Sequence, residues 1–231
     1  MSNRDYASKQ LNRIRNRIDS AISHYDRNTA SVTLVGAAKQ QSAKLVADFH
    51  TAGLNNIGEN YLNQAIEKQN TLAHTDIIWH FIGQIQSNKT NLIARHFTWV
   101  HSVDRIKIAQ RLNNHAIDGK RLQLLLQLNL DQEQSKAGID ATQALELVPK
   151  ISELQQLDLR GFMLIPKARQ SLDEQRKPFA LARELQEKCN QQYGLAMDTL
   201  SMGMSGDLEA AIAEGSTMVR IGTDLFGARP N

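Results

Sequence analysis

Eight short apolar runs lie along this chain, each but the last giving way to a longer segment whose apolar residues recur every three or four positions, and this alternation narrows the possible folds more than any other feature. The strand candidates are Ser31–Lys39, Asn56–Asn60, Ile77–Gly83, Thr98–Val103, Leu122–Leu130, Leu157–Ile165, Met197–Met202 and Thr217–Ile221. Helical periodicity follows each of the first seven, over Ser42–Ala52, Tyr61–Leu72, Ser87–His96, Ile106–Ile117, Ala141–Leu154, Leu172–Tyr193 and Asp207–Glu214. The first run, Ser31–Lys39, lacks polar alternation, which suits a parallel strand covered on both faces. The repeat is close to the roughly 30 residues of a βαβ unit. Eight such units in 231 residues predict an α/β chain folded as a single (β/α)8 TIM barrel, a fold that takes about 250. An additional amphipathic helix within Met1–Asp26, with Leu11, Ile14, Ile18, Ala21 and Ile22 on one face, precedes the first strand.

A doubly wound open sheet is the competing architecture. Its dinucleotide-binding form needs G-x-G-x-x-G after the first strand, where this chain has GAAKQQ, and there is no GxxxxGK[ST] phosphate loop. Without a Pro/Gly-rich linker or a shift in composition, one domain over residues 1–231 is expected.

Bulk properties exclude several functions. A formal charge of +3, with basic residues scattered through the helical segments, does not suggest a nucleic-acid partner. The single cysteine, Cys189, rules out a disulfide framework and a cysteine zinc site, and the histidines show no metal-ligand spacing. With no apolar run long enough to cross a bilayer and a polar N-terminus unlike a secretory signal, a cytoplasmic location is expected, with no membrane partner.

In barrels of this kind chemistry collects at the carboxyl ends of the strands. Lys39 ends the first strand candidate. A partly desolvated lysine there can lose its proton and add to an aldehyde, whereas a surface lysine does so poorly. The loops after strands seven and eight commonly hold a phosphate, and here they read SMGMSGD (Ser201–Asp207) and RIGT (Arg220–Thr223). Ser201, Ser205 and Thr223 offer hydroxyls, while Gly203, Gly206 and Gly222 permit close backbone approach. Arg220 has apolar neighbours and is expected to point into the barrel mouth, seeking an acceptor. Asn60 and His80 are further candidates for that face, His80 more naturally as a satisfied core histidine. Ordinary helix caps and a surface lysine remain the plain alternatives.

Taken together, these residues form motifs that resemble a known family: Ile57-Gly58-Glu59-Asn60-Tyr61, Trp79-His80-Phe81-Ile82-Gly83 with Gln86-Ser87-Asn88-Lys89, Ser135-Lys136-Ala137-Gly138-Ile139, Ser201-Met202-Gly203-Met204-Ser205, Met218-Val219-Arg220-Ile221-Gly222-Thr223 and Phe226-Gly227-Ala228-Arg229. Over almost its whole length the chain resembles the pyridoxal-phosphate homeostasis proteins of the YggS/PROSC type, which are similar to the N-terminal barrel domain of alanine racemase. The resemblance implies pyridoxal 5′-phosphate (PLP) at the C-terminal mouth, carried as a Schiff base on Lys39. It further implies Arg220 toward the pyridine nitrogen, Ser205, Gly206, Gly222 and Thr223 around the phosphate, and Asn60, Ile82 and Met204 lining the ring. Lys136 resembles a lysine linked in the family to cofactor transfer. The chain departs from the family pattern at Ala38 and Gln40, where Ser and Thr are usual, and at Gln41, where some members have a second lysine.

The resemblance also implies a monomeric carrier and regulator of vitamin B6 without evident catalysis, whose partners are PLP and apo forms of PLP-dependent enzymes. An arginine at the ring nitrogen is expected to make a weak electron sink, and the second domain that completes a racemase site is not expected here. The alternatives are a PLP-dependent amino-acid racemase or lyase using Lys39, and a barrel for a different phosphorylated ligand.

Overall fold

The computed structural model describes residues 3–28, 32–117, 119–133 and 137–228. Among these, eight parallel strands close into a barrel in sequence order: β1 (Thr33–Ala37), β2 (Asn56–Glu59), β3 (Ile78–Phe81), β4 (Trp99–Val103), β5 (Leu122–Leu128), β6 (Leu157–Leu164), β7 (Thr199–Ser201) and β8 (Met218–Ile221). Closure comes from β8 pairing with β1, Thr33 opposite Met218 through Gly36 opposite Ile221. Between successive strands lie α2 (Ala43–Thr51), α3 (Leu62–Thr71), α4 (Thr90–His96), α5 (Ile106–His115), α6 (Ala141–Ser152), α7 (Leu172–Tyr193) and α8 (Leu208–Ala213). The predicted (β/α)8 barrel is thus the observed fold. Its helix at 87–96 divides into a 3-10 turn, Ser87–Lys89, followed by α4.

The N-terminal helix, α1 (Asn3–His24), buries Ala7, Leu11, Ile14, Ile18, Ala21 and Ile22, which include all five residues predicted from its periodicity. After β8 there is only a short turn of helix, α9 (Thr223–Phe226). α1 packs against α2, α8 and α9, so a helix from before the first strand covers the sector that a helix after the last would otherwise cover.

The first strand is shorter than its apolar run. Pairing ends at Ala37, and Lys39 lies in a turn beyond the strand rather than at its last residue. In that turn the Gln41 N–H donates to Ala38 O at 3.0 Å, and Gln40 takes the left-handed conformation at φ 63°. Lys39 is therefore carried past the end of the sheet to the mouth of the barrel.

Candidate functional site

A cavity of about 380 Å³ opens at the carboxyl ends of the strands, lined by Ala37, Lys39, Gln41, Asn60, Ile82, Ile165, Met204, Ser205, Gly206, Arg220, Gly222, Thr223 and Gly227. All nine residues proposed from the sequence for one ligand (Lys39, Asn60, Ile82, Met204, Ser205, Gly206, Arg220, Gly222 and Thr223) border this space. They come from five different places in the chain. Lys136 lies outside the described residues, as does Ser135, so the expectation for that segment has no structural counterpart here.

Ser201 is placed differently from expectation. It is fully buried on β7 and does not border the cavity; its hydroxyl belongs to the barrel interior. Arg220 Nη1 donates to Ser201 O at 2.5 Å and to Ser201 Oγ at 2.6 Å, while Nη2 donates to Leu164 O at 3.0 Å. Burial lowers the guanidinium to about 10, with Asp207 acting in the opposite direction. It remains a cation near neutral pH, fixed at the cavity wall.

Behind Arg220 runs a chain of buried polar groups whose protons can be assigned in turn. The side-chain oxygen of Asn56 can only accept, so His80 Nε2, 2.9 Å away, carries a hydrogen. His80 Nδ1 then accepts from His101 Nε2, also at 2.9 Å, and His101 Nδ1 accepts from the Ser201 hydroxyl at 2.9 Å. Both rings are fully buried, and burial pushes His80 down to about 3. His101 is also well below its ordinary value, first through burial and then through the neighbouring His80 and Arg220. Two neutral imidazoles with one proton each satisfy every link. His80 is thus the hydrogen-bonded core histidine anticipated from its setting.

The loop after β7 is shaped by its own carboxylate. Asp207 Oδ1 accepts from the Met204 N–H at 2.6 Å and forms no side-chain cap on α8, contrary to a plain helix-cap reading of Ser-Gly-Asp. Burial raises the Asp207 carboxyl, against the Met204 N–H and the Arg220 charge. A side chain at Gly206 would meet nothing within 4 Å, so the glycine leaves room beside the cavity. Beyond β3, a Cβ at Gly83 would sit 2.1 Å from the carbonyl oxygen of Asn60; only glycine lets the chain pass that close to the segment that carries Asn60.

The residues fit a phosphorylated pyridine aldehyde. The cavity holds one amine, one fixed guanidinium, two open glycine-hydroxyl loops and the apolar side chains Ile82, Ile165 and Met204. Asn60 Oδ1 is buried with no hydrogen-bond partner among the described residues, an acceptor left for a ligand donor. No group of three or more His, Cys, Asp or Glu able to hold a metal ion occurs among the described residues.

Sequence reasoning misses His101 and Asn56 as supports behind Arg220, and Glu59 and Lys68 beneath the Lys39 turn. The available signals were two histidines on neighbouring strands 21 positions apart and a glutamate inside a short apolar strand. Cys189 is buried, its thiol pushed up to about 11 by burial, and takes no part in the site.

Comparison with known proteins gives the same picture. Residues 10–230 match the family model of the alanine racemase N-terminal domain. The pyridoxal phosphate homeostasis protein of Pseudomonas aeruginosa is 47% identical over 223 residues, covering 96% of this chain and 95% of that one. Its namesake in Escherichia coli K12 is 41% identical over 228 residues, 95% of each. Among solved structures, PipY of Synechococcus elongatus with PLP bound superposes with a TM-score of 0.84 at 35% identity, covering 96% of this chain and 100% of that one. Alanine racemase of Clostridium difficile shares the fold alone, with a TM-score of 0.74 at 13% identity over 98% of this chain and 58% of that one. On these grounds the chain belongs to the pyridoxal phosphate homeostasis protein family, built on the barrel of the alanine racemase N-terminal domain.

Proposed function

We propose that this protein binds PLP at the barrel mouth, joined covalently through Lys39 Nζ to the aldehyde carbon, and keeps it available within the cell without turning over a substrate of its own. The observation that carries the reading is the meeting of a lysine, a buried arginine and two glycine-hydroxyl loops around one cavity of about 380 Å³. The names of the relatives and the PLP in the PipY structure support it. Bound in this way, the cofactor would supply an electron-withdrawing ring and a reversible link to amines.

The remaining roles belong to the chain's own residues. Ser205, Gly206, Gly222 and Thr223 would hold the phosphate with hydroxyls and backbone N–H groups. Arg220 can only donate, so it would hold the pyridine nitrogen in its unprotonated form and weaken the ring as an electron sink. Its position is set by Ser201 and the two neutral histidines, which have no spare proton to pass on. Ile82 and Met204 would cover the ring faces, and Asn60 would accept from a ring substituent. This is the setting of a carrier more than of a racemase. Transfer of PLP to apo-enzymes, a monomeric state, a single domain and a cytoplasmic location are parts of the same proposal.

The test is the visible absorbance of the purified protein beside Lys39→Ala, before and after borohydride, with the modified peptide identified by mass. A band in the wild type that becomes fixed on Lys39, and is missing from the variant, is expected. A wild type that takes up no added PLP would overturn the assignment, and amino-acid turnover that Lys39→Ala abolishes would overturn the carrier role.

A further inference from the structure

Beneath the Lys39 turn lies a buried ion pair with no part in lining the cavity. Lys68, on α3, points inward and is 6% exposed; Glu59, the last residue of β2, is fully buried. Lys68 Nζ donates to Glu59 Oε1 at 2.6 Å and to the backbone oxygen of Ala38 at 2.8 Å. The Ala38 N–H in turn donates to Gly58 O at 2.9 Å, so both polar groups of Ala38 are tied to β2 or to the helix behind it. Ala38 O also receives the Gln41 N–H that closes the turn, in which Gln40 occupies a left-handed conformation unusual for a residue with a side chain.

Removing two charges from water costs several kcal/mol each before their attraction is counted, so an ion pair this deep is poor evidence of added stability. Its placement is informative. Ala38 immediately precedes Lys39, and Glu59 immediately precedes Asn60. One ammonium group therefore ties together the two strand ends that deliver Lys39 and Asn60 to the cavity.

We infer that Lys68 and Glu59 are positioning residues that hold the Lys39 turn against the end of β2 and so keep the Lys39 amine in place for the ligand's aldehyde. The inference rests on the proposed PLP-binding role of Lys39. Lys68 acts through the Ala38 carbonyl, and Glu59 fixes the ammonium that makes that bond.

The test uses the full chain carrying Glu59→Gln together with Lys68→Met, which removes both charges at once and leaves no unpaired buried ion. Two quantities are read beside wild type: amide hydrogen exchange over residues 38–41 in cofactor-free protein, and decay of the visible band of PLP-loaded protein diluted into semicarbazide. Loss of a charged hydrogen bond predicts about tenfold faster exchange in that segment, with the other strands unchanged, and about tenfold faster release of PLP. Unchanged exchange overturns the clamp. Faster exchange with unchanged release overturns the positioning role and leaves a merely structural pair. Faster exchange in a protein whose wild type shows no visible band sustains the clamp and overturns the proposed function instead.

Discussion

At the scale of single residues, the two that matter most differ in how they could be recognised. Lys39 ends an apolar run, and its sequence position alone places it at the barrel mouth. Glu59 sits in a shorter run, and the cost of burying it shows only once α3 is seen to bring Lys68 against it. Burial pushes the Glu59 carboxyl up to about 7, with the hydrogen bond and charge of Lys68 acting against the rise. A carboxyl whose folded pKa lies above its unfolded value binds its proton more tightly in the native state. Its contribution to stability is fully present below about 4.5 and is lost as the pH rises through about 7. The stability of Glu59→Gln, which cannot ionise but leaves the Lys68 charge without its partner, should therefore start below that of the wild type and shift in the variant's favour by up to about 3 kcal/mol as the pH rises between those limits. Urea unfolding of both proteins from pH 5 to pH 8 measures this. A stability difference independent of pH would mean that Glu59 ionises in the native protein as readily as in the unfolded one.

Among elements, α1 shows what a sequence can and cannot convey. Its apolar stripe of Leu11, Ile14, Ile18 and Ile22 announces an amphipathic helix, and each of these residues is buried. What periodicity could not reveal is the polar edge, where Arg17 reaches both segments proposed to hold the phosphate. Arg17 Nε and Nη2 donate to the two carboxylate oxygens of Glu209 at 2.9 and 3.0 Å, Nη1 to Asp224 Oδ2 at 3.0 Å, and Nη2 also to Ser205 O at 3.0 Å. These partners are some 190 to 210 positions away in sequence, a separation at which no local pattern operates. Arg17 thus joins α1 to the loop after β7 and to α9, directly beside Ser205 and Thr223. Arg17→Ala should cost little global stability, since the group is only partly buried, about 1 kcal/mol. It should weaken binding of PLP by about tenfold through loss of order in the two loops. Equilibrium titration with PLP at constant ionic strength, with thermal unfolding alongside, separates these effects. Equal losses in both would make Arg17 a stabilising contact and nothing more.

For the whole molecule, the alternation of strands and helices was enough to specify a closed barrel, because eight βα units with short connections leave few other ways to bury both faces of a parallel sheet. The same reasoning located the mouth. It could not say that the interior below the mouth is polar, because Asn56, His80, His101 and Ser201 come from four different strands and meet only on closure. That closure makes the site a property of the entire fold: the cavity draws on β1, β8 and the segments after β1, β2, β3, β6, β7 and β8, so a ligand held there stabilises all of them together. A ligand that binds only the native state at a free concentration 100 times its dissociation constant adds about 2.7 kcal/mol. In a chain of 231 residues this corresponds to a rise of about 5–10 °C in Tm. Wild type with PLP should show such a rise. Pyridoxal, which keeps the aldehyde and ring but lacks the phosphate, should give much less if Ser205, Gly206, Gly222 and Thr223 carry the phosphate. Lys39→Ala with PLP should retain only the non-covalent part. Equal shifts from PLP and pyridoxal would remove the phosphate role from the two loops, and an equal shift in Lys39→Ala would show that the lysine adds no binding free energy of its own.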